Sequence, residues 1–470
     1  MRKSETIILK SRANKRLQRP LFLLQAAAVF LVALGEIGCG DTFRPVAVPI
    51  PLPPPSPAAA HLVLSLASNG PLDPGTLSRI DVSGDSVSST FTTGVAPVYA
   101  AFAGTGTKVY VANSGEDTVS SNSSSNPTQA TTISLPQTCG ASGCVASHPV
   151  FVASTESGKM YVANSGNGTV SVINTSSDVV VATVAVDPTS PIPNAAANPV
   201  AFAELPNGSR IYSVNRGNST VSSIATLDDT VLDTIAMPAP PIWAVASSDS
   251  AFVYVLDTNG TISAINTLSD TITGSASAGV GANFMFLDPA FNRLYVTNPT
   301  AATVSIFDLA GKIFTPHLGS PITIAPVSGS TCSSAPVPSS VTVLGDGSRA
   351  YVASFQADAG SVCTQVTVID SGAGAITSII PLSQSTNMAA QTGCDIARFR
   401  TFATASGGGA NSNFKVYVSQ CDAGSVAVID TFASNTGTNQ HPADVLEGNV
   451  PAPLGSFSPS QNPVFVLAGP

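Results

Sequence analysis

The side chains that most often do chemistry are few in this chain and show no shared spacing. Four histidines, His61, His148, His317 and His441, form neither an HxH nor an HExxH pattern, so no zinc-hydrolase spacing is present. His148 stands just before an apolar stretch, where an imidazole can reach a channel or simply occupy a solvated turn; the turn is the expectation. Carboxylates recur at one type of position, Asp81, Asp308, Asp370 and Asp430, with Asn174 and Asn266 replacing them elsewhere. A catalytic group occurs once, whereas a turn former recurs, because Asp and Asn accept hydrogen bonds from the backbone just ahead. Glu204 ends an apolar run and either faces a channel or is exposed in a turn. The single tryptophan, Trp243, lies in Ile242-Trp243-Ala244, a setting that favours core packing over sugar stacking. No serine nucleophile elbow, phosphate loop or EF-hand loop occurs. Gly104 and Gly407-Gly408-Gly409 lie in turn contexts, as do the Asn-x-Ser/Thr sites at Asn167, Asn207, Asn218 and Asn259. No catalytic residue, metal ligand or cofactor site is assigned from these residues.

Charge narrows the function classes. The 470 residues carry a formal charge of −9, with 10% charged and 43% hydrophobic residues. That apolar content is enough for a large core and excludes a disordered chain. Seven Lys/Arg and two Asp/Glu fall in residues 1–38, so the remainder holds 12 basic against 26 acidic residues, a net of −14. A surface of that sign repels phosphate backbones, and nucleic acid is excluded as a partner.

The N-terminal segment reads as an address. A basic region including Lys15, Arg16 and Arg19 precedes an apolar run from Leu21 to Leu34, interrupted only by Gln25. The run suits a signal h-region and is short for a transmembrane helix. Ile37-Gly38-Cys39 resembles the processing site of bacterial lipoproteins, with Glu36 departing from the apolar residue that such sites carry. The resemblance implies a signal peptide over 1–38, a lipid on Cys39, and export to the outer membrane or cell surface, with a periplasm-facing anchor as the other orientation; Gly40 is compatible with that sorting. Pro45 to Pro57 holds seven prolines in thirteen residues, a polyproline II spacer, so 39–60 is read as a tether.

A phrase then repeats through residues 61–470. It contains Tyr110, Tyr161, Tyr212, Tyr254, Tyr295, Tyr351 and Tyr417, spaced 51, 51, 42, 41, 56 and 66 residues apart. A period of 40–50 with insertions marks propeller blades. A proline, Pro97, Pro149, Pro199, Pro241 or Pro338, stands 12 or 13 residues before the tyrosine in five units and opens an apolar innermost strand. The Tyr-Val strand is second, an alternating Thr-Val-Ser-Val-Ile strand third, and a more polar outer strand fourth. Residues 62–66 and 78–82 look like strands two and three without a strand one, and Asn462 to Ala468 like a strand one without partners. The expectation is an all-β propeller of eight four-stranded blades, seven being the other count, its ring closed by the C-terminal strand completing the N-terminal blade. The phrase, matched literally by Tyr295-Val296-Thr297-Asn298, resembles the YVTN family of β-propeller repeats. That resemblance implies a cell-envelope propeller and is also similar to lactonase-type propellers.

Six cysteines follow Cys39: Cys139, Cys144, Cys332, Cys363, Cys394 and Cys421. An even set in an exported chain reads as disulfides. Fifteen pairings are possible; equivalent places in two successive units give 332–363 and 394–421, leaving 139–144. The functional expectation is a lipid-anchored binding or structural module without a catalytic site or cofactor. Its partner would be an envelope protein or glycan, met by the insertions at 120–147, 311–337 and 383–413 or by the channel mouth. The alternatives are a lactonase-like hydrolase working in the channel and a redox propeller. The redox reading is disfavoured because no CxxCH is present.

Overall fold

A computed structural model describes residues 62–469 apart from 105, 124–125, 141–142, 156, 189–195, 359–360, 386–393, 395–397, 407–414, 434–441 and 452–461. The signal segment, Cys39, the proline-rich tether, His61, His441 and Gly407-Gly408-Gly409 lie outside the described residues, as does part of the 383–413 insertion. The described strands belong to the unit Ala60–Pro470. Among the described residues, no helix is long and apolar enough to cross a membrane.

The architecture is a ring of eight four-stranded antiparallel blades. Blade 1 is composite: the C-terminal strand Asn462–Ala468 lies innermost, followed outward by Leu62–Ser68, Pro74–Asp81 and Ser86–Val95. Blades 2 to 8 each run inner to outer in sequence order, starting at Pro97–Phe102, Pro149–Thr155, Pro199–Glu204, Pro241–Ala246, Phe284–Asp288, Val337–Val343 and Thr401–Ala405. Blade 6 adds a fifth short strand, Ile322–Thr323, beside Thr303–Ala310. Eight is therefore the blade count, and the ring closes between the two chain ends.

Burial follows the expected gradient. The second strands, such as Lys159–Asn164 and Arg210–Asn215, have one part-exposed residue followed by five buried ones, because blades pack on both of their faces. The outer strand Val179–Ala185 alternates between exposed and part-buried residues along most of its length, as a one-sided edge does.

The repeated tyrosines are fully buried; the hydroxyls of six of them tie neighbouring blades together, and Tyr295 Oη is buried without a hydrogen-bond partner. Tyr161 Oη donates to Asp229 Oδ1 at 2.5 Å, and Lys159 Nζ, two residues earlier, reaches the same carboxylate at 2.8 Å. Asp229 lies in the outermost turn of the next blade with φ 59°, a left-handed position that Asp tolerates better than most residues. The same clasp joins Tyr110 and Lys108 to Asp178, Tyr212 and Arg210 to Asp270, and Tyr351 and Arg349 to Asp444. Tyr417 and Lys415 close the circle onto Asp85 of blade 1. In blade 5, Phe252 replaces the basic residue and Tyr254 donates to Gly311 O instead. The asparagine of the phrase braces the following turn: Asn164 Nδ2 donates to Thr169 Oγ1 and Ser171 Oγ at 2.9 and 2.8 Å.

A channel closed by an aromatic belt

Proline is the first residue of the inner strand in four blades and the second in blade 7, and the ladder slips immediately after it. The register shifts fall between Pro97 and Tyr99, Pro149 and Phe151, Pro199 and Ala201, Pro241 and Trp243, and Pro338 and Ser340. A residue without an N–H cannot donate to the ladder, and the resulting bulge re-aims the chain. Three of these bulges present an aromatic residue two positions on. Six rings then form a closed circuit. Centroids are 3.9 Å apart for Tyr99–Phe151, 5.7 Å for Phe151–Trp243 and 4.7 Å for Trp243–Phe284. The circuit continues at 5.5 Å for Phe284–Phe402, 4.7 Å for Phe402–Phe465 and 4.5 Å for Phe465–Tyr99. Each ring comes from a different blade. Blade 4 adds Phe202 beside Phe151, and Ser340 stands at the corresponding place in blade 7.

A loop fills the middle of this belt. Phe399 contacts Trp243, Phe284, Phe402 and Phe465. Arg398 places its guanidinium 4.9 Å from the Trp243 ring, 5.3 Å from Phe151, 5.8 Å from Phe399 and 6.0 Å from Tyr99, within cation–π range. Its Nη1 donates to Val200 O at 2.8 Å. Two anchors to one turn hold the loop: the Cys394–Cys421 disulfide and a bidentate pair from Arg400 to Asp422 at 2.6 and 2.7 Å.

Two cavities adjoin the belt, and Trp243 lines both; Arg398 and Phe399 line the smaller one. One, of about 470 Å³, is walled mainly by apolar and aromatic side chains, with Glu204, Ser248, Thr342 and Thr404 as polar members. The other, of about 380 Å³, has a collar of Val98, Val150, Val200 and Ile242 and carries Arg216, Arg398, Asn198, Asn283 and Ser165. Burial pushes the Tyr99 phenol up to about 12, Arg398 opposing the shift and Glu204 adding to it. Burial pulls the Arg398 guanidinium down to about 10, Tyr99 opposing and Arg216 adding; it remains a cation at neutral pH.

The residues singled out from sequence fall into several groups. Five of the recurring turn residues behave as turn formers: Asp81 accepts from Ser83 N, Asn174 from Ser176 N, Asn266 from Leu268 N, Asp370 from Gly372 N and Asp430 from Phe432 N. Asp308 departs from this. Its strand, Thr303–Ala310, continues past it, and its carboxylate instead accepts from Arg293 Nε at 2.6 Å and meets His317 Nδ1 at 2.8 Å. His148 is exposed, with Nδ1 3.0 Å from Ser114 O, and does not line either cavity. Glu204 is exposed at the end of the strand Pro199–Glu204 and lines the larger cavity, so it faces the channel from a strand end and not from a turn. Trp243 is only 7% exposed, yet that remainder is channel wall.

The disulfides are Cys139–Cys144, within the hairpin of Thr138–Gly140 and Gly143–Val145, together with Cys332–Cys363 and Cys394–Cys421. Two features went unread in the sequence. Arg398 and Phe399 come from an insertion expected at the surface. The clasp aspartates follow the turn residues by four in Asp81/Asp85, Asn174/Asp178 and Asn266/Asp270, a periodicity that was there to be found.

No family model matches the chain, and no curated protein does. Solved structures share the fold. The chain is similar to the dihydro-heme d1 dehydrogenase NirN in complex with DHE (12% identity, TM-score 0.56, 84% of this chain and 76% of that one). It is also similar to apo AztD from Citrobacter koseri (11% identity, TM-score 0.52, 87% and 98%). One is an enzyme by name and neither is close in sequence, so the likeness defines a propeller and leaves its activity to the site.

Proposed function

We propose that this chain is an exported, lipid-anchored β-propeller that acts as a binding module and receives its ligand in the channel. The lining of the two cavities carries the reading. The larger has broad aromatic and apolar walls with a few polar groups, the usual make-up of a small-molecule site, and the smaller joins an apolar collar to two arginines and two asparagines. Hydrolysis needs a nucleophile or base together with a charge stabiliser at one point. Among the described residues lining the cavities, Glu204 is the one carboxylate, and no histidine or cysteine joins it. Three disulfides suit an oxidising compartment, in keeping with a signal segment and lipidated Cys39. An envelope protein or glycan contacting the insertions is the other form of this reading. A lactonase-like hydrolase is the alternative.

Trp243 is the only tryptophan, so intrinsic fluorescence reports on the channel directly. The test is a titration with small aromatic compounds, lactones, divalent cations and envelope glycans, read in parallel by fluorescence and thermal shift. A channel ligand changes both signals. A ligand that raises the melting temperature while leaving Trp243 unchanged moves the site to the insertions. Turnover of a lactone overturns the binding-module reading.

A further inference from the structure

The smaller cavity has a chemistry of its own. Eleven basic residues occur in 62–470, and seven of them, Lys108, Lys159, Arg210, Arg293, Arg349, Arg400 and Lys415, are committed to ion pairs. Arg216 and Arg398 both line this cavity, and among the described residues neither makes an ion pair. A cation packed among rings without a counter-ion is costly in a folded protein, and a second cation nearby adds to that cost. Arg398 has five N–H donors, of which one goes to Val200 O.

Four neighbours line the same cavity and add polar groups or a platform. The Trp243 indole Nε1 is buried without an acceptor. Asn283 Oδ1 is taken by Thr297 Oγ1 at 2.7 Å, which leaves the donor end of that amide. Phe399 and Ile242 offer an apolar surface beside Trp243. Donors of positive charge grouped beside a flat apolar wall suit an anion that carries a planar body. The position of Arg398 is also prepared in advance, because Arg400, two residues on, is held by its bidentate pair with Asp422 before any ligand arrives.

We propose that the cavity bearing Arg216 and Arg398 is an anion site for a small organic carboxylate with a flat apolar body. The carboxylate lies against the two guanidinium groups and the body against Trp243 and Phe399. The strongly acidic remainder of the chain makes this local reversal of sign selective, since other faces repel the same anion. The guanidinium fork favours a planar carboxylate held by paired hydrogen bonds. This assignment rests on the channel-binding reading above and names its ligand class.

The experiment titrates the purified full chain with benzoate and 2-naphthoate, with benzyl alcohol as the uncharged analogue and benzylamine as the cationic one. Binding is read by calorimetry and Trp243 fluorescence. The carboxylates are expected to bind at least tenfold more tightly than the alcohol, benzylamine not at all, and added salt to weaken the carboxylates only. Arg216→Gln, at an exposed side chain, is expected to weaken carboxylate binding at least tenfold with an unchanged melting temperature. Arg398→Gln is expected to abolish it, and the Arg216 variant keeps the test decisive if that chain does not fold. Inorganic phosphate binding in place of the carboxylates overturns the ligand class. Equal binding of acid and alcohol, or no effect of Arg216→Gln, overturns the site. If the alcohol alone perturbs Trp243, the anion site falls and channel binding stands; if no compound does, both fall.

Discussion

At the scale of single residues, the conspicuous tyrosines and aspartates serve the fold. Each clasp tyrosine gives its hydroxyl to a neighbour while its ring is sealed between blades. Burial raises the phenol of Tyr110, Tyr161, Tyr212, Tyr254, Tyr295, Tyr351 and Tyr417 above the ordinary value of 10.0; in Tyr161 the bond to Asp229 adds to it. The sign of the linkage follows. The unfolded chain ionises its tyrosines near pH 10 while the native chain resists, so unfolding releases protons. Stability from this source is complete below pH 10 and is lost as pH climbs through the raised native values. Melting temperature is therefore expected to fall steeply above pH 10, with tyrosinate absorbance appearing together with unfolding. Gradual tyrosinate formation in a chain that stays folded would contradict the clasp. The Asp229-type partners went unread because their other half lies on a different blade.

At the scale of elements, Arg398 and Phe399 show how an insertion becomes part of a site. Cys394–Cys421 spans 27 residues, and a loop of that length is worth about 3.5 kcal/mol in the chain-entropy account. The Cys394→Ser/Cys421→Ser chain is expected to lose stability on that order and to show a red-shifted Trp243 emission, because Arg398 and Phe399 are no longer held against the ring. Cys139→Ser/Cys144→Ser releases only a short hairpin and should leave the emission in place. Identical spectra from both pairs would show that the disulfide does not position the plug. The insertion was visible as a departure from the repeat. Its inward course was not, because composition does not distinguish a loop laid over a ring from one that dips into its channel.

At the scale of the molecule, ring closure couples the two ends of the chain. The strand Asn462–Ala468 pairs with Leu62–Ser68 and also supplies Phe465 to the aromatic belt. Deleting it uncovers the inner edge of Leu62–Ser68, opens the ring and breaks the belt in one step. The chain ending at 461 is expected to lose its cooperative melting transition and to aggregate, as followed by circular dichroism and size-exclusion chromatography. A cooperative melt close to that of the full chain would mean that seven complete blades suffice.

What the sequence determined by itself was the periodic part: the propeller of seven or eight blades, strand order, closure by the C-terminal strand, five of the six recurring turn residues and the disulfide partners. Each is written once per repeat or fixed by equivalence between repeats, so copies of one local pattern reinforce one another. The tertiary structure alone decided which side chains meet at the axis. Tyr99, Phe151, Trp243, Phe284, Phe402 and Phe465 lie on six blades, and Arg398 belongs to no repeat. Their contact depends on closing the ring, which brings together residues hundreds of positions apart that no local spacing relates.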